Sequence, residues 1–349
     1  MKIYKNIFNE IISLENLFSA WDSFKKGKSS KPGIIRFGHD IEKNIFSLHN
    51  DLKQGKYDHG PYTAFNISDP KPRNIHKATI RDRVFHHAVF NVLNPVFEKT
   101  FISNSFSCRI NKGAHKGFGA LEKMIGQESR NYRQPCFILK CDIRKFFATV
   151  NHDILFKIIS RKIKDNNALK LIEIIINSFS SAESDRFNRK GLPLGNLTSQ
   201  LFANIYLNEL DRFVKNGLKI RRYARYTDDF VIISRDKNYL LAVMAKIKNY
   251  LLAKLKLELH PNKISIRKYC QGIDFLGYIA LPHYCLLRTK TKKRIFKNLK
   301  QRIMEYKQEK ISKKSVEQTL QSYLGVLSHA SAYRLRQKLI NQFWFWLNE

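Results

Sequence analysis

Residues 223–234 have the sequence Tyr223-Ala-Arg-Tyr226-Thr-Asp228-Asp229-Phe-Val-Ile-Ile-Ser234, in which two adjacent aspartates separate two runs of strand-forming residues. Aspartate is a poor strand residue, and neighbouring carboxylates repel each other, so the pair fits best in a tight turn between two strands. An ordinary hairpin turn would explain this segment taken alone. The segment therefore predicts a β-hairpin and leaves the chemical role of its acids open.

A third aspartate ends another predicted strand. Cys136-Phe-Ile-Leu-Lys-Cys-Asp142 is an apolar run of strand length that stops at a carboxylate. If both strands belong to one sheet, Asp142 and Asp228 can meet at the same edge. Carboxylates with open coordination positions suit Mg²⁺, which also binds substrate phosphates. Two such ions roughly 3.5–4 Å apart can activate a 3′-oxygen and stabilise a leaving pyrophosphate.

The charge balance points to a polyanionic partner. The 349 residues include 63 lysines and arginines against 29 acids, a formal net charge of +34. Such an excess opposes compaction unless a polyanion neutralises it, and nucleic acid is the usual one. A basic protein without a polymeric partner is the alternative. No apolar run approaches the roughly 18 residues that a membrane-spanning helix needs, so we expect no membrane partner.

The five cysteines predict a reducing compartment. Their number is odd, and no Cys-x-x-Cys pair or zinc-finger spacing occurs. We therefore expect free thiols in a cytoplasmic protein. The order of predicted elements favours an α+β fold, because apolar strand-length runs alternate with helical periodicity up to Leu287 and a basic helical region follows. Residues 275–280 are predicted to form one strand.

The spacing of these motifs resembles the palm of reverse transcriptases. Tyr-x-Asp-Asp lies between two strands, a strand-terminal aspartate precedes it, and Phe275-Leu-Gly-Tyr278 follows it. The likeness extends from about Ile67 to Leu287. It implies a right-hand polymerase with a ferredoxin-like antiparallel sheet in the palm and a helical thumb. The implied parts are an N-terminal helical extension (1–60), fingers (61–135), palm (136–285, with a fingers insertion at about 152–190) and thumb (286–349).

The resemblance also assigns catalytic roles. Asp142 and Asp228 would coordinate two Mg²⁺ ions, with Mn²⁺ as a substitute. The carbonyl of Ile143 would be an accessory ligand, and Asp229 a neighbouring catalytic carboxylate with a smaller share. Phe147 occupies the position of the aromatic gate that excludes ribonucleotides by its bulk. In the Phe146-Phe147 pair, one ring is expected to be a core residue, and the position favours Phe147 as the gate.

Further positions match contacts to nucleotide and primer. Arg73 and Arg109 correspond to fingers residues that bind the incoming triphosphate, which suits the bidentate guanidinium. Lys263 corresponds to a lysine that protonates the departing pyrophosphate. Each of these three could instead be an ordinary surface residue. The primer grip would consist of Phe275, Leu276, Gly277 and Tyr278.

The segment at 191–204, predicted as a loop over 191–195 that opens a helix near Thr198 or Ser199, favours one subclass. It reads Gly191-Leu-Pro-Leu194-Gly-Asn-Leu-Thr-Ser-Gln200-Leu-Phe-Ala-Asn204, and Leu194 stands where group II intron and retroviral enzymes carry glutamine. This string resembles reverse transcriptases of diversity-generating retroelements, bacterial and phage systems that hypermutate a target gene. Leu194 and Gln200 are expected to contact substrate. Other segments agree with that subclass: Ser68-Asp-Pro-Lys-Pro-Arg73, Arg81-Asp-Arg-Val84, Ser107-Cys-Arg109, and Lys112-Gly113.

The subclass implies error-prone cDNA synthesis and a set of partners. These are a structured template RNA, a DNA or RNA primer with its cDNA, deoxynucleoside triphosphates, and a small basic oligomeric accessory protein. Two alternatives stay open at this point. One is a reverse transcriptase of group II intron or antiphage-defence type, and the other is an inert RNA-binding scaffold.

Overall fold

The computed structural model describes residues 2–69, 71–185 and 188–349. The first part of the chain is mainly helical and carries one hairpin. Its elements are α1 (Phe8–Ile12), α2 (Leu14–Lys25), α3 (Pro32–His39), α4 (Ile41–Lys53), β1 (Thr63–Ile67), β2 (Arg73–Lys77), α5 (Ile80–Glu98) and α6 (Ala114–Glu128).

The middle of the chain forms an antiparallel sheet crossed by helices. Its elements are β3 (Phe137–Asp142), α7 (Phe146–Thr149), α8 (His152–Ser160), α9 (Asn166–Asn177), α10 (Leu197–Arg212), β4 (Tyr223–Tyr226), β5 (Asp229–Ser234), α11 (Lys237–Tyr250) and β6 (Ser265–Lys268). The strand order is β4-β5-β3-β6, with every neighbouring pair antiparallel. This β-α-β-β-α-β order is ferredoxin-like, and it confirms the predicted palm sheet.

A small sheet and a helical unit complete the chain. Strands β7 (Ile273–Phe275), β8 (Tyr278–Leu281) and β9 (Tyr284–Leu287) form an antiparallel meander. The C-terminal helices are α12 (Thr289–Lys307), α13 (Lys313–Leu327) and α14 (Tyr333–Asn348). The prediction of one strand over 275–280 is wrong, because Leu276 and Gly277 adopt left-handed φ angles of 51° and 95° and turn the chain back.

Both faces of the palm sheet are buried. Leu139 and Cys141 on β3 join one core with the N-terminal helices, α5 and α8–α10. Ile138 on the opposite face joins a second core with α6, the β7–β9 meander and the C-terminal helices. The alternation follows from the two-residue period of a strand. The sheet is therefore packed on both faces.

The described elements do not test all of the sequence predictions. The boundaries of extension, fingers, palm and thumb stay a prediction, and residues 186–187 of the expected insertion and Pro70 of the Ser68–Arg73 motif lie outside the described residues. Of the helices in the described ranges, none is both long and apolar enough to cross a membrane.

Candidate active site

Three aspartates lie together at one edge of the palm sheet. In the register of β3 and β5, Asp142 pairs directly with Asp229, so both side chains lie on the same face. The amide of Ile143 donates to the carbonyl of Asp228 at 3.2 Å, which joins the two acid-bearing segments just beyond the pair. The sequence analysis predicts that acids from strands about 85 residues apart meet at one edge of the sheet. Whether the Ile143 carbonyl binds metal stays a prediction.

At this edge of the sheet, the environment disfavours the ionised form of the carboxylates. Burial, followed by repulsion from Asp142, raises the pKa of Asp228 to about 6. Burial also raises the pKa of Asp229, although Lys140 opposes this shift. Charged carboxylates held out of water in this way need a cation to compensate them. The site is therefore electrostatically prepared for a positively charged ligand.

One cation of the protein already lies beside Asp142. The Lys263 ammonium donates to Oδ1 and Oδ2 of Asp142 at 2.8 and 2.9 Å. In the described residues, no three His, Cys, Asp or Glu side chains converge closely enough to enclose a metal ion. Mg²⁺ uses one or two carboxylates and completes its shell with water and substrate phosphates, so the carboxylates at this edge are of the type that would hold it. Lys263 would have to leave Asp142 when such an ion binds.

A cavity of about 350 Å³ opens beside these acids. Its walls carry more positive than negative charge, so it suits a phosphate-bearing ligand better than a neutral one. The basic side chains come from the segment after β1, from the palm strands and from the start of the C-terminal region. They are Lys71, Lys140, Lys263, Arg267 and Arg288, set against Asp142, Asp229 and Asp274.

One ring of the Phe146–Phe147 pair is a buried core residue and the other is partly exposed. The gate role of Phe147 stays a prediction. Phe146 is buried in the core, whereas Phe147 is half-buried, and the two rings meet edge to face at 5.4 Å. The amide of Leu192 donates to the carbonyl of Phe147 at 2.7 Å. Phe147 therefore lies against the loop before α10.

The loop before α10, residues 191–196, is attached to the β1–β2 hairpin. The amide of His76 donates to the Leu194 carbonyl at 2.9 Å, and the Asn196 side chain donates to the His76 carbonyl at 3.3 Å. Arg73 lies exposed on the same strand β2, three residues before His76. Gln200 is exposed on the first turns of α10. Leu194 therefore lies against β2, the strand that carries Arg73.

Arg109 is held by contacts within the protein, and the expected triphosphate contact at this position stays a prediction. Its guanidinium donates to both carboxylate oxygens of Glu98 and to the carbonyls of Ile102 and Ser105, at 2.6–3.1 Å. The side chain is only 6% exposed. Since these contacts occupy both sides of its hydrogen-bonding fork, Arg109 is committed to holding the end of α5 against the loop that follows.

The predicted primer grip is a hairpin whose backbone turn is the accessible part. Phe275 and Tyr278 are buried, and the turn between them consists of Leu276 and Gly277. The amide of Arg288 donates to the Gly277 carbonyl at 3.1 Å, and the Tyr278 hydroxyl donates to the Val326 carbonyl on α13 at 3.1 Å. The hairpin thus connects the palm to the C-terminal helices. Contact with a primer stays a prediction.

The sequence interpretation missed one residue of the site. Arg225 on β4 is fully buried and forms an ion pair with Asp211 on α10, which is also fully buried. A charged residue inside an apolar strand next to the catalytic turn was the available signal, because such a residue needs a buried partner. The partner could not be read from the sequence, since Asp211 belongs to a helix.

Comparison with known proteins agrees with this geometry. Residues 67–280 match the reverse transcriptase (RNA-dependent DNA polymerase) family. Protein YkfC of Escherichia coli is 25% identical over 274 residues, which cover 66% of this chain and 69% of YkfC. The group II intron-encoded protein LtrA of Lactococcus lactis is 24% identical over 336 residues, covering 76% of this chain and 54% of LtrA.

A solved telomerase shares the fold. The telomerase of Candida albicans, solved in complex with a fragment of telomeric RNA, superimposes with a TM-score of 0.53 at 12% identity. The match covers 88% of this chain and 58% of the telomerase chain. It supports the right-hand polymerase fold. Because the family match spans more than half of the 349 residues and includes all three clustered aspartates, the chain belongs to the reverse transcriptase family, the RNA-directed DNA polymerases.

Proposed function

We propose that this reverse transcriptase copies a template RNA into error-prone cDNA for targeted gene diversification, with two Mg²⁺ ions at Asp142 and Asp228. The observation that carries the proposal is Leu194, an apolar side chain in the loop that is attached to β2 through His76. The proposal includes the partners implied by the subclass, namely a structured template RNA and a small basic oligomeric accessory protein.

The site residues divide the polymerisation step among them. Asp142 and Asp228 would hold the metal ions, which would supply charge stabilisation for the attacking 3′-oxygen and the leaving pyrophosphate. Lys263 exchanges its contact with Asp142 for one with the leaving phosphate, to which it gives a proton. Arg73, exposed on β2, binds the triphosphate. Phe147 lies under the sugar and leaves no room for a 2′-hydroxyl.

Leu194 provides the physical reason for low fidelity. A glutamine in its place can hydrogen-bond the sugar or minor-groove edge of the incoming nucleotide, and a misplaced nucleotide then leaves buried polar groups unpaired. Leucine offers only apolar contact, which tolerates a displaced nucleotide. One lost hydrogen bond is worth about 0.5–1.5 kcal/mol, so this residue alone accounts for roughly three- to tenfold more misincorporation.

A second candidate is a reverse transcriptase of group II intron type. It is favoured by the likeness to LtrA, a group II intron-encoded protein, although the chain spans about half of the length of LtrA. An inert RNA-binding scaffold is disfavoured, because the chain belongs to a polymerase family and its three aspartates are clustered. The two polymerase candidates share the chemistry and differ in accuracy.

Sequencing of cDNA separates the candidates. The parent protein, Leu194→Gln and the exposed control Leu252→Gln would each copy the same defined RNA with Mg²⁺. We expect frequent errors from the parent and the control, and roughly three- to tenfold fewer from Leu194→Gln. A low parental error rate would favour the intron-type enzyme. Equal error spectra in all three proteins would remove Leu194 from the explanation.

A further inference from the structure

Arg225 is buried behind the catalytic turn with a complete set of partners. Its Nε and Nη2 atoms donate to the two carboxylate oxygens of Asp211 at 2.8 and 2.7 Å. Nη2 also donates to the Ser105 hydroxyl at 3.0 Å. Nη1 donates to the Thr227 carbonyl at 3.0 Å and to the Asn204 side chain at 3.5 Å. All five N–H groups of the guanidinium therefore have an acceptor.

These partners belong to three different parts of the fold. Asp211 lies in α10, whose N-terminal end leads out of the loop that contains Leu194. Ser105 belongs to the segment before α6, which runs beside β4 and is bridged to Arg225 through its backbone. Thr227 is the residue immediately before Asp228. One guanidinium thus connects the sheet, the helix and the adjoining loop at the catalytic turn.

Thr227 needs such a connection because its backbone is strained. Its φ angle is 53°, a left-handed conformation that is unfavourable for a β-branched residue. Arg225 holds its carbonyl, and the Thr227 hydroxyl donates to the Ser107 hydroxyl at 2.6 Å. These two contacts hold the turn in the left-handed conformation, which sets the direction of the next side chain, Asp228.

Stability alone is a poor explanation for this ion pair. Both side chains of Arg225 and Asp211 are fully buried, and the cost of removing two charges from water offsets much of their attraction. Apolar residues of similar volume often replace such a pair without loss of stability. A planar, bidentate cation that also reaches a carbonyl, however, has no apolar substitute.

We propose that Arg225 is a positioning residue for metal binding: it fixes Thr227 in the left-handed conformation and so aims the Asp228 carboxylate at the metal ions. The inference rests on the proposed two-metal site. Residues that orient metal ligands typically change metal affinity by roughly 10- to 100-fold when they are replaced. Arg225 belongs to this group, although it touches neither metal nor substrate.

The first test is Arg225→Lys. The substituted side chain would keep the charge beside Asp211, but its single nitrogen cannot reach Asp211, Ser105 and the Thr227 carbonyl together. Arg222→Lys is the matched control, since Arg222 lies just before β4 and forms a half-exposed ion pair with Glu128. Mn²⁺ affinity would be measured by electron paramagnetic resonance, the melting temperature in EDTA, and primer extension over a Mg²⁺ titration.

We expect the Mn²⁺ dissociation constant and the half-saturating Mg²⁺ concentration of Arg225→Lys to rise roughly tenfold or more, with Arg222→Lys at parental values. The triple variant Arg225→Met/Asp211→Leu/Tyr223→Phe removes the buried charges together with the Tyr223 hydroxyl that donates to Asp211 at 2.7 Å. It should melt cooperatively while binding Mn²⁺ as weakly. Parental Mn²⁺ affinity in either folded Arg225 variant would overturn the proposal. So would a failure of both to fold, since Arg225 would then serve folding only. A parent that neither binds Mn²⁺ nor extends a primer would instead refute the proposed function.

Discussion

The environment of the Asp228 carboxylate disfavours its ionised form. Its folded-state pKa is raised from 3.8 to about 6, first by burial and then by Asp142. For a pKa raised on folding, the stability contribution is fully present below pH 3.8 and is lost as the pH rises through 6. At neutral pH the ionised side chain therefore costs stability. A bound cation offsets this cost, so the free energy of unfolding depends on cation binding at this site.

Replacing this carboxylate should separate catalysis from stability. Asp228→Asn removes a hard anionic ligand, and metal stabilisation is worth several kcal/mol in the transition state. We expect primer extension to fall by about a thousandfold or more, which corresponds to ~4 kcal/mol. The melting temperature in EDTA at about pH 7.5 should equal or exceed that of the parent, because the variant carries no buried charge at this position.

Asp22→Asn is the control for this experiment. Asp22 is exposed on α2 and forms only a surface ion pair with Lys25, so both rate and melting temperature should stay at parental values. Near-parental extension by Asp228→Asn would refute the two-metal assignment. A large drop in its melting temperature would show that the carboxylate supports the fold rather than the chemistry.

Phe147 offers a second test with a single side chain. Phe147→Ala opens space beside the expected sugar position, and discrimination by shape is typically worth ~1–3 kcal/mol per small group. We expect the ratio of ribonucleotide to deoxynucleotide incorporation to rise by roughly tenfold or more. Phe345→Ala, which removes an exposed ring from α14, should leave the ratio unchanged. A parental ratio in Phe147→Ala would assign the gate to another residue.

The role of an arginine cannot be inferred from that residue alone. The guanidinium chemistry that suits a triphosphate also suits a buried carboxylate, and the sequence around Arg109 does not distinguish the two. Folding brings Glu98, eleven residues earlier in the chain, onto Arg109 and fills its fork. The aspartates were predictable because charge interrupts strand periodicity there. The contact between Lys263 and Asp142 was not, since 121 residues separate them.

Among the elements, the loop before α10 (residues 191–196) packs closely on the β1–β2 hairpin as one unit because of Gly195. Its φ angle is 112°, and a Cβ atom added there would lie 2.9 Å from Cγ2 of Ile75 on β2. A side chain at this position therefore meets backbone strain and a clash at once. This close approach allows the His76 amide to donate a hydrogen bond to the Leu194 carbonyl.

Gly195→Ala should loosen this unit. We expect a loss of about 1–3 kcal/mol in the free energy of unfolding, measured with denaturant, and a raised KM for deoxynucleotides. Gly55→Ala is the matched control, because Gly55 also has a positive φ of 69° but nothing lies within 4 Å of an added Cβ. It should show the smaller loss due to strain alone and a parental KM. Equal losses and equal KM values would exclude a role for the contact with Ile75.

The elements were predictable where periodicity is strong and less so where a turn depends on tertiary contacts. The palm strands and their acids follow from apolar runs that end in aspartate. The break at Leu276 does not, since leucine rarely adopts positive φ and the sequence there has strand character. Packing explains it: Leu276 lies against Gly117 of α6, where an added Cβ would be 2.9 Å from its Cδ1. Tertiary structure overrides local preference at this hairpin.

For the whole molecule, the charge excess is distributed over the fold but concentrated on certain elements. Helix α12 alone carries eight lysines and arginines against one glutamate, and its buried residues Ile295, Leu299 and Ile303 fix one face to the second core. The remaining faces carry the cations. A basic surface of this kind binds nucleic-acid backbones without reading their sequence.

The net charge of +34 predicts RNA binding that weakens steeply with salt. Neutralised phosphates release counterions, and about six to ten such contacts lose roughly 10³–10⁵ in affinity between about 50 and 200 mM salt. A binding titration with a defined RNA at several salt concentrations measures the slope. A flat profile would contradict the electrostatic account and would assign recognition to base contacts or to a partner protein.

Two triple variants of equal charge locate the contacts. One replaces three exposed lysines of α12 by glutamine, and the other replaces three exposed lysines in or next to α4; the positions are Lys290, Lys292 and Lys293, and Lys43, Lys53 and Lys56. Each phosphate contact that is lost should reduce the salt slope by about one. If α12 binds the duplex, its variant alone should lose up to about three units of slope. Equal reductions in both variants would mean that the charge acts as a diffuse field, since net charge is the one property that the two variants change alike.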